Sequence, residues 1–134
     1  MKKILIVSAN YYLQIASQMY QETKDTLENS KTLTGRKQNF KYRLVHVPGV
    51  FEIPVIISKN IKKYDGFIAL GCVIKGETPH FDFISQTTTN AIMKLSIDHK
   101  KPVGNGIITC LNKKQAEARS KKGREAAQAV ISVL

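Results

Sequence analysis

Four times along the chain a short apolar run gives way to an amphipathic segment, and this alternation restricts the fold more than any other feature. Lys2–Ser8 is apolar between polar flanks, as a strand buried on both faces must be. From Tyr12 to about Asn29, the residues Ala16, Met19, Tyr20, Thr23 and Leu27 recur at helical spacing. Residues 30–41 are polar and basic, include Gly35, and form the one stretch that reads as a long loop. Tyr42–Val47 reads as the second strand, stopped by Pro48-Gly49. Pro54 then suits the first turn of a helix running to about Lys63. Gly66–Ile74 reads as a third strand, and His80 to about His99 as a long helix. Val103–Cys110 reads as a fourth strand, and Lys113 to the C-terminus as one last helix. Strand and helix in strict alternation imply parallel strands, right-handed crossovers and helices on both faces. The expectation is an α/β fold: one domain over residues 1–134, three layers α/β/α, with a four-stranded parallel sheet.

With 134 residues the chain can bury a sizeable core without disulfides or metal. No apolar run is long enough to span a bilayer. Lys2 and Lys3 precede a short apolar run, but nothing after it resembles a signal-peptide cleavage site, so a cytoplasmic location is expected. Cys72 and Cys110 have neither metal-binding nor redox spacing and read as reduced thiols. The net charge of +11 is localised: residues 31–43 hold five basic groups and no acid, and residues 94–125 hold nine basic against three acidic. Such a surface suits nucleic acid, an anionic membrane or an acidic small substrate. Lys outnumbers Arg by 17 to 4, and the 31–43 run interleaves only Phe40 and Tyr42, which weighs against a nucleic-acid reader.

In open parallel sheets, ligands bind beyond the carboxyl ends of the strands. Gly76-Glu77-Thr78-Pro79-His80 follows the third strand. Thr78 suits a helix N-cap and Pro79 a first helical residue. The amides there would face an anion. His80 would sit in the first helical turn, where the helix dipole disfavours imidazolium and leaves a ring able to accept a proton. The same residues also read as an ordinary helix start with a surface histidine. After the second strand, Phe51 could stack on a flat heterocycle and Glu52 could accept hydrogen bonds, with Tyr11 as a second stacking surface. Phe51 equally reads as a core residue. Arg119, Lys121, Lys122 and Arg124 form either a solvated basic face or a phosphate clamp.

Several classes lack their signatures. Neither G-x-x-x-x-G-K-[ST] nor G-x-G-x-x-G follows a strand. The first strand ends in Ser8-Ala9-Asn10 rather than a carboxylate, against a phospho-accepting receiver. His46, His80 and His99 have no ligand spacing.

Val47-Pro48-Gly49-Val50-Phe51-Glu52-Ile53-Pro54 resembles the V-P-G-A-F-E-I-P segment of the lumazine synthase family. The run from Ala69 to Asp82, with Lys75-Gly76-Glu77-Thr78-Pro79-His80 inside it, resembles A-L-G-x-V-I-[RK]-G-E-T-x-H-[FY]-[DE]. Pro102 to Thr109 resembles P-[VI]-x-x-G-[VIL]-[LI]-T, and Gln115-Ala116, Arg119, Lys122-Gly123 and Glu125-Ala126-Ala127 resemble the family's tail. The resemblance covers nearly the whole chain, in order. Three positions depart from the pattern. Tyr11-Tyr12 stands where Phe-Asn or Trp is common, Asn105 stands where Phe is common, and the Arg119–Gly123 link is short.

The resemblance implies a flavodoxin-like fold and an enzyme of riboflavin biosynthesis. That enzyme condenses 5-amino-6-(D-ribitylamino)uracil with 3,4-dihydroxy-2-butanone 4-phosphate to give 6,7-dimethyl-8-ribityllumazine, phosphate and water. It implies no metal and no organic cofactor. By resemblance Tyr11 stacks on the pyrimidine, Val50, Phe51 and Glu52 hold the ribityl chain and ring edge, and Cys72, Val73 and Ile74 contact the uracil through backbone. Glu77, Thr78 and Arg119 bind phosphate with help from Lys122, Asn105 takes the substrate-binding place of a Phe that packs on the ring from a neighbouring subunit and loses that packing, and His80 transfers protons. Partners are the two small substrates and other copies of the chain, in a homopentamer or decamer with sites between subunits; neither nucleic acid nor membrane is implied. Cage-forming relatives carry an N-terminal extension that adds a strand to a neighbour. Here Met1-Lys2-Lys3 leads straight into the first strand, so a pentamer, or two pentamers face to face, is expected. A non-catalytic lumazine-binding relative is disfavoured by the joint presence of His80 and Arg119.

Overall fold

The computed structural model describes residues 1–134. In chain order the elements are β1 (Lys2–Ala9), α1 (Leu13–Glu28), β2 (Phe40–Val47), α2 (Ile53–Lys59), β3 (Gly66–Ile74), α3 (His80–His99), β4 (Val103–Cys110), α4 (Lys113–Ala118) and α5 (Lys122–Val133). A single 3₁₀ turn, Val50–Glu52, precedes α2. The strands form one parallel sheet in the order β2-β1-β3-β4. The flavodoxin-like α/β class read from the sequence is therefore observed. β1 and β3 hold the central places, which is why their sequences are apolar on both faces.

Alternation across these strands feeds two cores. Ile4, Ile6, Ile68, Leu70, Ile108 and Cys110 point to one face, where Ile15 and Met19 of α1, Ala116 of α4 and Ala126, Ala127 and Val130 of α5 cover them. Leu5, Val7, Phe67, Ala69 and Ile107 point to the other, beneath Ile53 and Ile57 of α2 and Ile92 of α3. Helices thus lie on both faces of the sheet.

Four local expectations are corrected. β2 begins at Phe40, two residues early, paired in register with Lys2 of β1. α2 stops at Lys59 because Asn60 closes it: its side-chain amide donates to the Ile56 carbonyl at 2.8 Å. α3 starts at His80 with Pro79 at its cap, so Thr78 is one residue outside the capping position; its hydroxyl instead accepts from the His80 N–H at 3.4 Å. The last helix is two helices. Between them the chain tightens through i→i−3 bonds, Ser120 N–H to Glu117 at 3.5 Å and Lys122 N–H to Arg119 at 3.0 Å. Within residues 30–41, a small antiparallel bridge joins Lys31 and Lys37, turned by Gly35 at φ +83°.

No helix is long and apolar enough to cross a membrane.

Candidate functional site

Because all four strands run parallel, their carboxyl ends share one edge of the sheet. The Asn10 N–H donates to the Val47 carbonyl at 3.0 Å and ties the segment after β1 to the end of β2. Tyr11 follows, 76% exposed, with its ring edge-on to Tyr12 at 4.9 Å between centroids. Tyr12 is half-buried beside Cys72, and its hydroxyl is pushed above its ordinary range by burial first, then by Cys72 and Tyr11. The turn after β2 buries Val50 and leaves Phe51 58% exposed, so Phe51 is not a core residue. Val50 lies so close to Gly71 of β3 that a Cβ there would strike its side chain. Glu52 is half-buried on the same turn, as are Cys72, Val73 and Ile74 at the end of β3.

The loop after β3 is anchored at its start, where the Lys75 N–H donates to the Cys110 carbonyl at 2.8 Å. The next three amides, of Gly76, Glu77 and Thr78, donate to no group of the chain, and all three residues are exposed. They precede His80 in the chain by two to four residues, and His80 is exposed at the start of the 20-residue helix α3. Free amides at the positive end of a helix dipole can take an oxyanion.

Arg119, Lys121 and Lys122 lie elsewhere. With Ile107, Ile108, Thr109, Ala118 and Glu125 they line a groove of about 570 Å³ along β4 and the α4–α5 joint. Arg119 donates to the Thr109 carbonyl at 3.0 Å, and Lys122 Nζ stands 3.8 Å from Glu125. Arg124 turns to the other side, 3.5 Å from Glu22 of α1, and does not join the groove. Asn105 is exposed on the outer edge of β4, its Oδ1 accepting from the Ile107 N–H at 3.0 Å. No residue of the 76–80 loop, the Val50–Glu52 turn or the Tyr11 segment lines this groove. Within one chain, then, the candidate residues form two groups. Tyr11, Val50–Glu52, Cys72–Ile74 and Glu77–His80 sit at the strand ends, and Arg119, Lys122 and Asn105 lie along the β4 side.

The whole chain, residues 1–134, matches the profile of the 6,7-dimethyl-8-ribityllumazine synthase family. Similar proteins of that name include one from Bartonella henselae, 41% identical over 98% of this chain and 85% of its own length. Another, from Agrobacterium fabrum, is 36% identical over 98% of this chain and 91% of its own. The chain belongs to this family. It is accordingly an enzyme, a transferase of the lumazine synthase kind.

Two residues near the lumazine synthase motifs were not singled out by sequence reasoning as groups that matter at the strand ends. Tyr12 meets Tyr11 edge-on and lies near Cys72, and Cys110 stands beside Cys72. The period-2 alternation of β3 and β4 places both thiols on one face and was the available signal. Burial, with Cys110 adding to it, pushes the Cys72 thiol from its ordinary 9.0 up to about 12. Cys72 therefore stays protonated and unreactive at neutral pH. Any stability from its neutral form is fully present below pH 9 and is lost as pH rises from there through about 12. Iodoacetamide at pH 8 should modify Cys72 at least about 10-fold more slowly in the native protein than in urea, read by mass spectrometry of its peptide. Equal rates in the two states would contradict this.

Proposed function

We propose that the chain condenses 5-amino-6-(D-ribitylamino)uracil with 3,4-dihydroxy-2-butanone 4-phosphate, giving 6,7-dimethyl-8-ribityllumazine, phosphate and water in the penultimate step of riboflavin biosynthesis. The observation that carries this reading is the run of three unpartnered amides, Gly76 to Thr78, preceding His80 beside the aromatic and carboxylate groups at the strand ends. An anion cradle adjoining a proton-transfer group is what the chemistry needs. The pyrimidine's amine attacks the ketone and expels water as an imine forms. Phosphate leaves by elimination, and a second condensation closes the ring. Each step moves a proton, and one imidazole can serve them in turn. Tyr11 and Phe51 offer exposed faces for the flat ring, and Glu52 offers acceptors for hydroxyls or ring N–H groups. Glu77, Thr78, Arg119 and Lys122 hold phosphate, while the backbone of Cys72, Val73 and Ile74 meets the uracil. Holding both substrates in one orientation contributes up to roughly 7–11 kcal/mol of the barrier reduction.

The reading includes assembly. The cationic groove and the His80 loop share no lining residues within one chain, which supports a site that takes its phosphate arginine from a neighbouring copy. α3 also leaves Phe83, Met93 and Ile97 exposed, at 67%, 59% and 66%, an apolar face that a neighbour would cover. These features support self-association with shared sites, and the family resemblance makes the assembly a homopentamer, alone or paired into a decamer. Incubating the protein with both substrates should generate the lumazine chromophore with one phosphate released per turnover. The scattering mass of the active species should match five or ten chains. Absence of the chromophore with both substrates present would overturn the activity, and an active monomer would overturn the shared site.

A further inference from the structure

The groove along β4 has an uneven charge distribution. The first amides of α5 are spent within the chain: the N–H of Lys122 donates to Arg119 at 3.0 Å, that of Gly123 to Ser120 at 3.4 Å, and that of Arg124 to Lys121 at 3.0 Å. Anion attraction in this groove therefore comes from side chains, not from a helix end. Arg119 spends one guanidinium N–H on the Thr109 carbonyl at 3.0 Å and keeps its other donors. Lys122 stands 3.8 Å from Glu125, which offsets part of its charge. Lys121 lines the same groove, is exposed, and pairs with no carboxylate or acceptor of the chain.

We propose that Lys121, rather than Lys122 alone, supplies the second positive charge that meets a phosphate monoester dianion in this groove. The proposal rests on the phosphate-binding reading above and deepens it. The three cations Arg119, Lys121 and Lys122 less the one carboxylate of Glu125 leave a charge of +2 on the groove walls. A phosphate monoester carries about −1.5 to −2 at pH 7. The division of labour follows from side-chain chemistry. Arg119, fixed by Thr109, presents a planar fork suited to two phosphate oxygens. Lys121 is a point charge on a flexible stem that can follow the phosphate as it leaves. The short α4–α5 joint is what brings Lys121 to this wall, directly between the Arg119 turn and the first residue of α5.

The test compares Lys121→Ala, Lys121→Arg and Arg119→Ala in steady-state assays, with inorganic phosphate as competitor. Lys121→Ala should raise the KM for the butanone phosphate and the inhibition constant of inorganic phosphate by about 5- to 10-fold. The effect should fall on KM rather than kcat, leave the KM of the pyrimidine in place, and be reversed by Lys121→Arg. If Arg119→Ala raises both phosphate constants while Lys121→Ala raises neither, Lys121 is not a ligand and the phosphate reading stands. If neither variant moves them, the phosphate reading of the groove itself fails. Equal weakening of both substrates in Lys121→Ala would make the residue structural and overturn the proposal.

Discussion

His80→Ala should slow lumazine formation by about 10- to 10⁴-fold without abolishing it, and should leave the fold untouched. Two structural facts set this expectation. The His80 side chain is exposed and makes no hydrogen bond; only its backbone N–H is engaged, to the Thr78 hydroxyl at 3.4 Å. Its removal opens no cavity and orphans no partner, so the change in stability should stay within about 0.5 kcal/mol. No carboxylate of the chain bonds the ring, so it lacks the orienting partner of a nucleophilic triad's histidine, and the expected effect is that of the proton carrier proposed above. Proximity of the two bound substrates survives the substitution, which is why residual turnover is expected. Single-turnover kinetics with saturating pyrimidine would isolate the chemical steps. An unaltered rate would remove His80 from the mechanism.

Gly123→Ala should cost about 3 kcal/mol and lower the melting temperature by roughly 10 °C. A Cβ at this position would collide with the Met19 carbonyl oxygen of α1 and come within 2.9 Å of the Thr23 hydroxyl. The obstacle is backbone and cannot rotate away. The buried Thr23 hydroxyl stands 2.9 Å from the Met19 carbonyl and 3.1 Å from the Gly123 carbonyl, and so links the two helices at their closest approach. Pushing them apart would break the hydroxyl's bond to Gly123, leaving it only the Met19 carbonyl of its own helix, and loosen the α4–α5 joint that carries the groove lysines. Gly76→Ala is the matched control: nothing lies within 4 Å of its added methyl, so its melting temperature should barely move. A Gly123→Ala protein that melts with the wild type would show that the helix contact yields at little cost.

The sheet was legible in the sequence because β1 and β3 are apolar on both faces, as strands buried in a parallel sheet are, and each gives way to a segment of helical period. The 76–80 turn was legible because Gly, Thr, Pro and His act locally there, although the helix start lies one residue later than cap preferences indicate. The break between α4 and α5 was not legible. Ala116, Ala126, Ala127 and Val130 hold helical spacing across it, and no proline marks it; the break accompanies a tertiary contact, Gly123 against Met19. The partners of the groove cations were hidden for the same reason. Arg119 meets Thr109 only through the fold, and nothing in the order of Arg119, Lys121, Lys122 and Arg124 says which of them Glu125 and Glu22 engage.

The outer margin of β4 has a further consequence. Its outward Ile107 N–H is taken by the Asn105 side chain at 3.0 Å and its outward Thr109 carbonyl by Arg119 at 3.0 Å. A stray extended segment arriving there finds those two main-chain groups already occupied. At the opposite margin, β2 presents Lys41 and Arg43 to solvent, which repel a second copy of the same strand. Chains concentrated by synthesis are exposed to runaway strand addition and fibre growth. Here one rim has two of its main-chain groups stoppered and the other is electrostatically guarded, so both rims of the sheet resist uncontrolled pairing with another strand.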